Sequence, residues 1–434
     1  MDTWRYEKDR VALTPPMGWN SWDCYAATVT EDQLLANAHY MQKHLLPHGW
    51  SYIVCDIQWY EPLAGQGDTE YRPLAALCMD AYGRLLPAEN RFPSSAGGKG
   101  FAPIADQIHA MGLKFGLHIM RGIPRQAAHA HTPVLGTDIT ADQITNPFSI
   151  SKWNGDMYGV DASKLGAQAY YDALFALYAQ WGVDYIKVDD IGNTNLYPDN
   201  PYSGMAEIEM IRRAIDRSGR PMVLSLSPGP APVDRAWHLR KHANLWRITD
   251  DFWDHWPLLL DMFTRCERWQ AHVGPGSWPD CDMLPLGHIG MGHKRPRMTN
   301  FTQDEQRTLM TLWSIFRSPL MMGGELNDND AWTLLLLTND EVLAVNQWGD
   351  APMQLHRDDR SAAWISRAGE DAVNVALFNL GEETAAVSAD LAEAFGHPFA
   401  ARDLWQGLDM GMGRGRITAE LAPHGAALYR LTRA

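Results

Sequence analysis

What the sequence lacks narrows the field first. Its five cysteines, Cys24, Cys55, Cys78, Cys266 and Cys281, are odd in number, scattered, and never spaced C-x-x-C. That excludes a disulfide scaffold, a thiolate zinc site and a dithiol redox motif, and it suits free thiols in a reducing compartment. Basic residues are in short supply, 37 Lys plus Arg against 52 Asp plus Glu, for a formal net charge of -15. So acidic a chain suits neither a phosphate backbone nor an anionic lipid surface, and no nucleic-acid or membrane partner is expected. No apolar run approaches the roughly 20 residues of a membrane-spanning helix. Residues 1–10 are polar and charged and do not read as a signal peptide or an anchor. The expected location is cytoplasmic, unless a leader has been trimmed away.

What is present is a repeating alternation. Short apolar segments at 17–22, 52–57, 114–119, 185–189, 222–227, 245–250, 280–284 and 320–324 are separated by amphipathic stretches of helical spacing. The clearest of those stretches are 31–46, 102–111, 164–181, 205–218, 253–270 and 303–316. Eight strand–helix units make a (β/α)8 TIM barrel, whose chemistry sits at the C-terminal ends of the strands, where Asp56, Asp189 and Asp251 all fall. The segment at 280–284 is the weakest of the eight. A doubly wound open sheet is the alternative, but no G-x-G-x-x-G loop follows the first segment.

After about residue 347 the helical spacing stops. Short segments at 362–366, 372–379 and 426–431, separated by Gly, Asp and Asn turns, predict a C-terminal antiparallel β-sandwich. The expected division is a catalytic barrel over 1–345 and a sandwich domain over 346–434, in keeping with a chain too long for one typical core. Two connections are long, 61–100 and 122–162, and the second carries His129, His131, Trp153 and Tyr158. Long structured loops of this kind usually wall a functional site.

Two strand ends stand out chemically. Tyr185-Ile186-Lys187-Val188-Asp189-Asp190 and Leu245-Trp246-Arg247-Ile248-Thr249-Asp250-Asp251 each run from an apolar strand, past a cation, into paired aspartates. Burying an unpaired charge costs on the order of several kcal/mol, so these strand ends are expected to open on a polar site. Two carboxylates across a sugar-sized cleft can cleave a glycosidic bond. One attacks the anomeric carbon; the other protonates the departing oxygen and then activates water. A gap of about 5–5.5 Å gives retention and a wider one inversion; the chain spacing leaves that choice open. By strand alternation Lys187 shares a face with Asp189, and Arg247 shares the parity of Asp251. An ion-pair network at the barrel mouth is the plainer account of the same residues. Eighteen tryptophans fit a sugar-binding chain, because aromatic faces pack on the C–H faces of sugar rings, although most are expected in the core. His118 ends the third strand, either facing the site or as a structural histidine. His129 and His131 lack a matching carboxylate or cysteine set, so no metal is expected.

The motifs themselves carry a resemblance. Thr14-Pro15-Pro16-Met17-Gly18-Trp19-Asn20-Ser21-Trp22 resembles the N-terminal signature of glycoside hydrolase family 27, the α-galactosidase or melibiase family. Asp80-Ala81-Tyr82-Gly83-Arg84-Leu85, Gly112-Leu113-Lys114-Phe115-Gly116-Leu117, Lys187-Val188-Asp189 and Gly274-Pro275-Gly276-Ser277-Trp278-Pro279-Asp280-Cys281-Asp282-Met283-Leu284 follow in family order. The resemblance spans roughly residues 10–345. It implies a TIM barrel followed by a β-sandwich, a carbohydrate substrate, and a retaining mechanism without metal or organic cofactor. It implies Asp189 as nucleophile and Asp251 as general acid/base. It further implies Lys187 and Arg247 as holders of sugar hydroxyls, Trp22 as an aromatic wall at the C6 edge, and Asp56 as the carboxylate gripping the 4- and 6-side hydroxyls. His118 stands where the family commonly has tyrosine. Ser227 stands near where many galactosidases place a glutamate or another contact to the 2-position. The disulfide cysteines of secreted animal members are not reproduced, and a homo-oligomer is left open.

One departure bears on substrate. Galactosidases usually carry two adjacent aspartates at the second strand end, whereas here Asp56 is followed by Ile57, a pair seen in family members that look like β-L-arabinopyranosidases. A β-L-arabinopyranoside has the ring hydroxyl arrangement of an α-D-galactopyranoside without the exocyclic CH2OH, so an isoleucine removes an acceptor for the 6-hydroxyl and fills its space. The expected function is a retaining exo-glycosidase that removes terminal β-L-arabinopyranose and, more weakly, α-D-galactopyranose. The rivals are an ordinary α-galactosidase, an α-N-acetylgalactosaminidase for which Ser227 leaves room, and a catalytically silent sugar-binding protein.

Overall fold

The computed structural model describes residues 6–66, 72 and 74–434. Eight parallel strands make the barrel: β1 (Met17–Asn20), β2 (Tyr52–Cys55), β3 (Lys114–Met120), β4 (Tyr185–Asp189), β5 (Val223–Leu226), β6 (Leu245–Arg247), β7 (Trp278–Asp280) and β8 (Leu320–Met322). They pair in chain order, β1 also pairs with β8, and a parallel bridge from Leu284 to Met322 closes the ring.

Strand alternation explains why these segments read as nearly continuous apolar runs. Ile53, Phe115, Leu117, Ile186, Leu224 and Trp246 point outward into the layer beneath the helices. Tyr52, Val54, Tyr185, Val223, Leu245 and Trp278 fill the interior at the N-terminal end. The interior is tight there: a Cβ on Gly18 would lie 2.5 Å from the Tyr52 carbonyl oxygen, and the Tyr52 and Tyr185 rings are 5.6 Å apart. Above this plug the inward positions turn polar, with Lys187, Arg247 and Asp280, and the site begins at that level.

The outer layer is α1 (Glu31–His44), α2 (Ala102–Ala110), α3 (Ala167–Gln180), α4 (Met205–Ser218), α5 (Ala236–His242), α6 (Trp256–Trp269), α7 (Gln303–Phe316) and α8 (Asp340–Trp348). α4 and α7 have the bounds their spacing predicts. α3 starts three residues later than expected because Gly166, at φ 88°, breaks the chain direction before it. α5 is not legible in the sequence; its seven residues, four of them His, Arg or Lys, are too short and too polar to show a period. The weak eighth-of-the-barrel segment at 280–284 is displaced: β7 ends at Asp280, and Asp282, at φ 79°, leaves the sheet.

The switch to β-structure falls at Gly349. β9 (Asp350–Arg357), β10 (Ser361–Arg367), β11 (Ala372–Asn379), β12 (Ala385–Asp390), β13 (Pro398–Asp403), β14 (Leu408–Arg414), β15 (Arg416–Leu421) and β16 (Ala426–Arg433) follow. They form a six-stranded antiparallel sheet of order β9-β10-β11-β16-β13-β14 and a two-stranded sheet β12-β15. Both faces of β10 and β11 are covered. Ala362, Trp364, Ala376 and Phe378 belong to the core shared with the barrel, while Ala363, Ile365, Val375 and Leu377 pack against the smaller sheet. Between barrel and sandwich lies α7, buried along nearly its whole length. It bonds to the sandwich from Thr308 to the His424 carbonyl at 2.6 Å and from the Trp405 indole to Thr311 at 2.9 Å. Trp256 of α6 stacks flat on His424 at 3.7 Å.

Candidate active site

The strand ends open on a cavity of about 290 Å³ whose walls include Trp22, Asp56, Ile57, His118, Lys187, Asp189, Arg247 and Asp251. Its floor is an alternating set of charges. Asp56, fully buried, accepts from the Ile57 N–H at 2.7 Å and from His118 Nδ1 at 2.9 Å, with Lys187 Nζ 3.9 Å from its other oxygen. His118 Nε2 in turn lies 3.3 Å from Asp189 Oδ2, an ion-pair contact rather than a well-formed hydrogen bond. Asp189 also accepts from the Trp153 indole at 2.9 Å and the Ser227 hydroxyl at 3.2 Å.

The electrostatics follow from this order. Burial pushes Asp189 up, but His118, Lys187 and the Trp153 N–H outweigh it, so Asp189 falls below the ordinary carboxylate range and is ionised at neutral pH. Asp56 is likewise held low against its burial by His118 and Lys187. Burial and Lys187 oppose a charge on His118, yet Asp56 and Asp189 raise it above an ordinary histidine. Lys187, opposed by burial and stabilised chiefly by Asp56 and Asp282, stays charged. Asp190 is turned out of the cavity at φ 55° and pairs with Arg121 at 2.8 Å. Burial pushes its acid up to about 6.

The rim is built around Arg247. Its guanidinium is buried and holds Asp282 at 2.9 Å and Asp251 at 3.0 Å. Asp251 itself is 67% exposed at the side chain, with Arg247 as its ion-pair partner. Asp282 also accepts the Phe252 N–H at 2.8 Å, and burial leaves its acid raised despite Arg247 and Lys187. Trp22 closes one side, edge-on to Trp153 at 6.3 Å and to His293 at 5.7 Å.

Of the residues singled out from the sequence, Trp22, Asp56, Ile57, His118, Lys187, Asp189, Arg247 and Asp251 converge on this cavity. Ser227 does not line it. It is buried behind Asp189 with its hydroxyl directed at that carboxylate and at the Val188 carbonyl. His129 and His131 stay outside, engaged by Tyr158 and Asp142. Glu209, His238 and His242 meet on α4 and α5 outside the cavity, but Arg213, Arg235 and Lys241 crowd them with positive charge. Sequence reasoning did not assign Trp153, Asp282 or Asp23 to the site. Asp282 lies inside a recognisable motif and Asp23 follows Trp22, so both were adjacent to legible signals. Trp153 reaches the site from the middle of the long 121–166 connection, whose path is set by tertiary contacts alone.

The family model described as "Alpha galactosidase A" matches residues 158–348, and "Alpha galactosidase C-terminal beta sandwich domain" matches 358–431. The chain is 56% identical to a family 27 β-L-arabinopyranosidase from Geobacillus stearothermophilus, crystallised in complex with arabinose, covering 99% of this chain and 100% of that one at a TM-score of 0.95. It is 51% identical to a candidate α-N-acetylgalactosaminidase from Bacillus halodurans, covering 98% of each chain at a TM-score of 0.88. The α-galactosidase of Coffea arabica is 29% identical over 97% of this chain and 94% of its own length.

Proposed function

The chain belongs to glycoside hydrolase family 27, and from that premise we propose that it removes terminal β-L-arabinopyranosyl residues by double displacement and α-D-galactopyranosyl residues more weakly. Asp189, ionised and held by Trp153, Ser227 and His118, attacks the anomeric carbon. One of its oxygens becomes the glycosyl ester while the glycosidic bond breaks. Asp251 gives its proton to the departing oxygen, then takes one from water as that water displaces Asp189, so configuration is retained. Its exposure at the rim suits this role, because the aglycone leaves and the water enters on that side, and the proton taken from water restores the acid for the next cycle. Asp56, Lys187 and Arg247 hold ring hydroxyls, and Trp22 covers the ring edge.

The observation that carries the sugar preference is Ile57, fully buried in the cavity wall beside Asp56, together with the likeness to the Geobacillus arabinopyranosidase. A 6-hydroxyl brought against an isoleucine loses a partner, which is worth about 1–3 kcal/mol. An apolar wall rejects an added hydroxyl only weakly, so dual activity is expected. The test is kcat/KM on the nitrophenyl β-L-arabinopyranoside and α-D-galactopyranoside, run side by side with wild type and Ile57→Asp. The wild type should favour the arabinoside, and Ile57→Asp should move the ratio toward the galactoside by about tenfold or more. A wild-type preference for galactose, or an unmoved ratio, would sink the assignment. The Bacillus halodurans likeness favours N-acetylgalactosamine as a second reading. Against it, the Ser227 hydroxyl is engaged by Asp189 rather than leaving space at the cavity wall.

A further inference from the structure

Asp23 has no part in the scheme above, yet it lines the same cavity. It follows Trp22 in the short helix Trp22–Tyr25 and is 3% exposed. Its Oδ2 has no hydrogen-bond partner among the described residues. Buried carboxyl oxygens are rarely left so, because the lost hydration is not replaced. The surroundings are shaped to accept it. A Cβ on Gly323, just past β8, would lie 2.1 Å from Asp23 Oδ2, so a bare α-carbon is what lets the carboxyl stand there.

The neighbouring charges define its chemical form. Burial first, then the carboxylates of Asp282, Asp56 and Asp251, push its acid well above the ordinary range, with Lys187 opposing. The shift is toward the protonated carboxyl, which carries one donor and a free acceptor and so suits a sugar hydroxyl, which also both gives and takes a hydrogen bond. Asp189 is engaged by Trp153 and Ser227 and Asp282 by Arg247, while Asp56, already assigned to the ring hydroxyls, shares with Asp23 a buried Oδ2 that has no hydrogen bond among the described residues.

We propose that Asp23 is a further sugar-binding residue of this site, its carboxyl group taking a ring hydroxyl on the Trp22 side of the bound pyranose. The proposal rests on the glycosidase reading of the cavity but not on which sugar is preferred. It is tested by calorimetric titration of L-arabinose and D-galactose into wild type, Asp23→Ala, Asp23→Asn and Gly323→Ala, alongside thermal unfolding and kcat and KM on both nitrophenyl glycosides. Asp23→Ala should keep or raise the unfolding temperature, since it removes a buried group without a protein partner, while Kd for both sugars rises about tenfold to a hundredfold. Asp23→Asn, neutral and of the same shape, should recover most of that loss. Gly323→Ala, which drives a methyl into the carboxyl, should weaken binding in the same direction. Unchanged Kd in Asp23→Ala, or a lowered unfolding temperature with Kd intact, would make Asp23 structural and overturn the proposal. The two ideas separate cleanly: the wild-type preference between sugars judges the substrate assignment, and the change from wild type to variant judges Asp23.

Discussion

The ends of β4 and β6 were written alike and fold unlike. Each carries a cation, then two aspartates, but at the β4 end only Asp189 lines the cavity whereas at the β6 end both Asp250 and Asp251 do. At the end of β4 the first aspartate, Asp189, sinks to the floor among Trp153, Ser227 and His118, and the second, Asp190, is turned away to Arg121. At the end of β6 the chain runs two residues further, and Asp251 stands at the rim in water with Arg247. One motif thus yields a buried carboxylate held as an anion and a carboxylate exposed at the rim. In the proposed double displacement the two roles divide by how deep the strand end sits rather than by residue type.

The comparison can be broken at its floor. Asp189→Ala should lower kcat/KM by at least about 10⁴-fold, and azide should restore turnover as a glycosyl azide of inverted configuration. Normal turnover in that variant would remove Asp189 from the mechanism. At the rim the expected loss is smaller and depends on the leaving group. Asp251→Ala should cost about 10²–10⁴-fold on a substrate with a poor leaving group, distinctly less on a nitrophenyl glycoside, and azide should give a product of retained configuration. An inverted azide from Asp251→Ala, or equal losses on both substrates, would exchange or dissolve the two roles. The mildest probe is His118→Gln, expected to cost about tenfold in kcat/KM. His118 helps hold Asp189 below its ordinary range, so its loss raises that acid, and the acidic limb of the pH profile of kcat/KM should move to higher pH. An acidic limb that stays put would show that Trp153 and Lys187 suffice. The sign is the same for stability. Asp189 contributes above the unfolded carboxylate range and loses that contribution as pH falls through its folded value, so the variant should gain less on leaving acid than the wild type does.

Much of this architecture was legible because strand burial writes itself as apolar runs that stop where the site begins. Asp56, Lys187, Asp189, Arg247 and Asp251 were placed by parity and position alone, before any resemblance. What stayed illegible has physical reasons. α5 is shorter than two turns and has no period to read. Ser227 follows a strand that points the right way, but a hydroxyl takes the nearest strong acceptor, and that acceptor is Asp189. Trp153 sits in a long connection where backbone direction depends on contacts remote in sequence. Asp23 gives no signal without its neighbours, since only three other carboxylates and a bare glycine make it unusual.

α7 has a last consequence. Its face toward the barrel carries Trp313, whose indole caps the Asp282 carbonyl beside the cavity, and its other side is roofed by the sandwich, with Phe316 against Trp364 of β10, Thr308 on the His424 carbonyl before β16, and Thr311 taking the Trp405 indole after β13. The sandwich is therefore the outer skin of a helix that props the catalytic mouth from behind. Deleting it would strip solvent protection from that prop, so removing the segment after Gly349 should lower both the unfolding temperature and the turnover of the barrel.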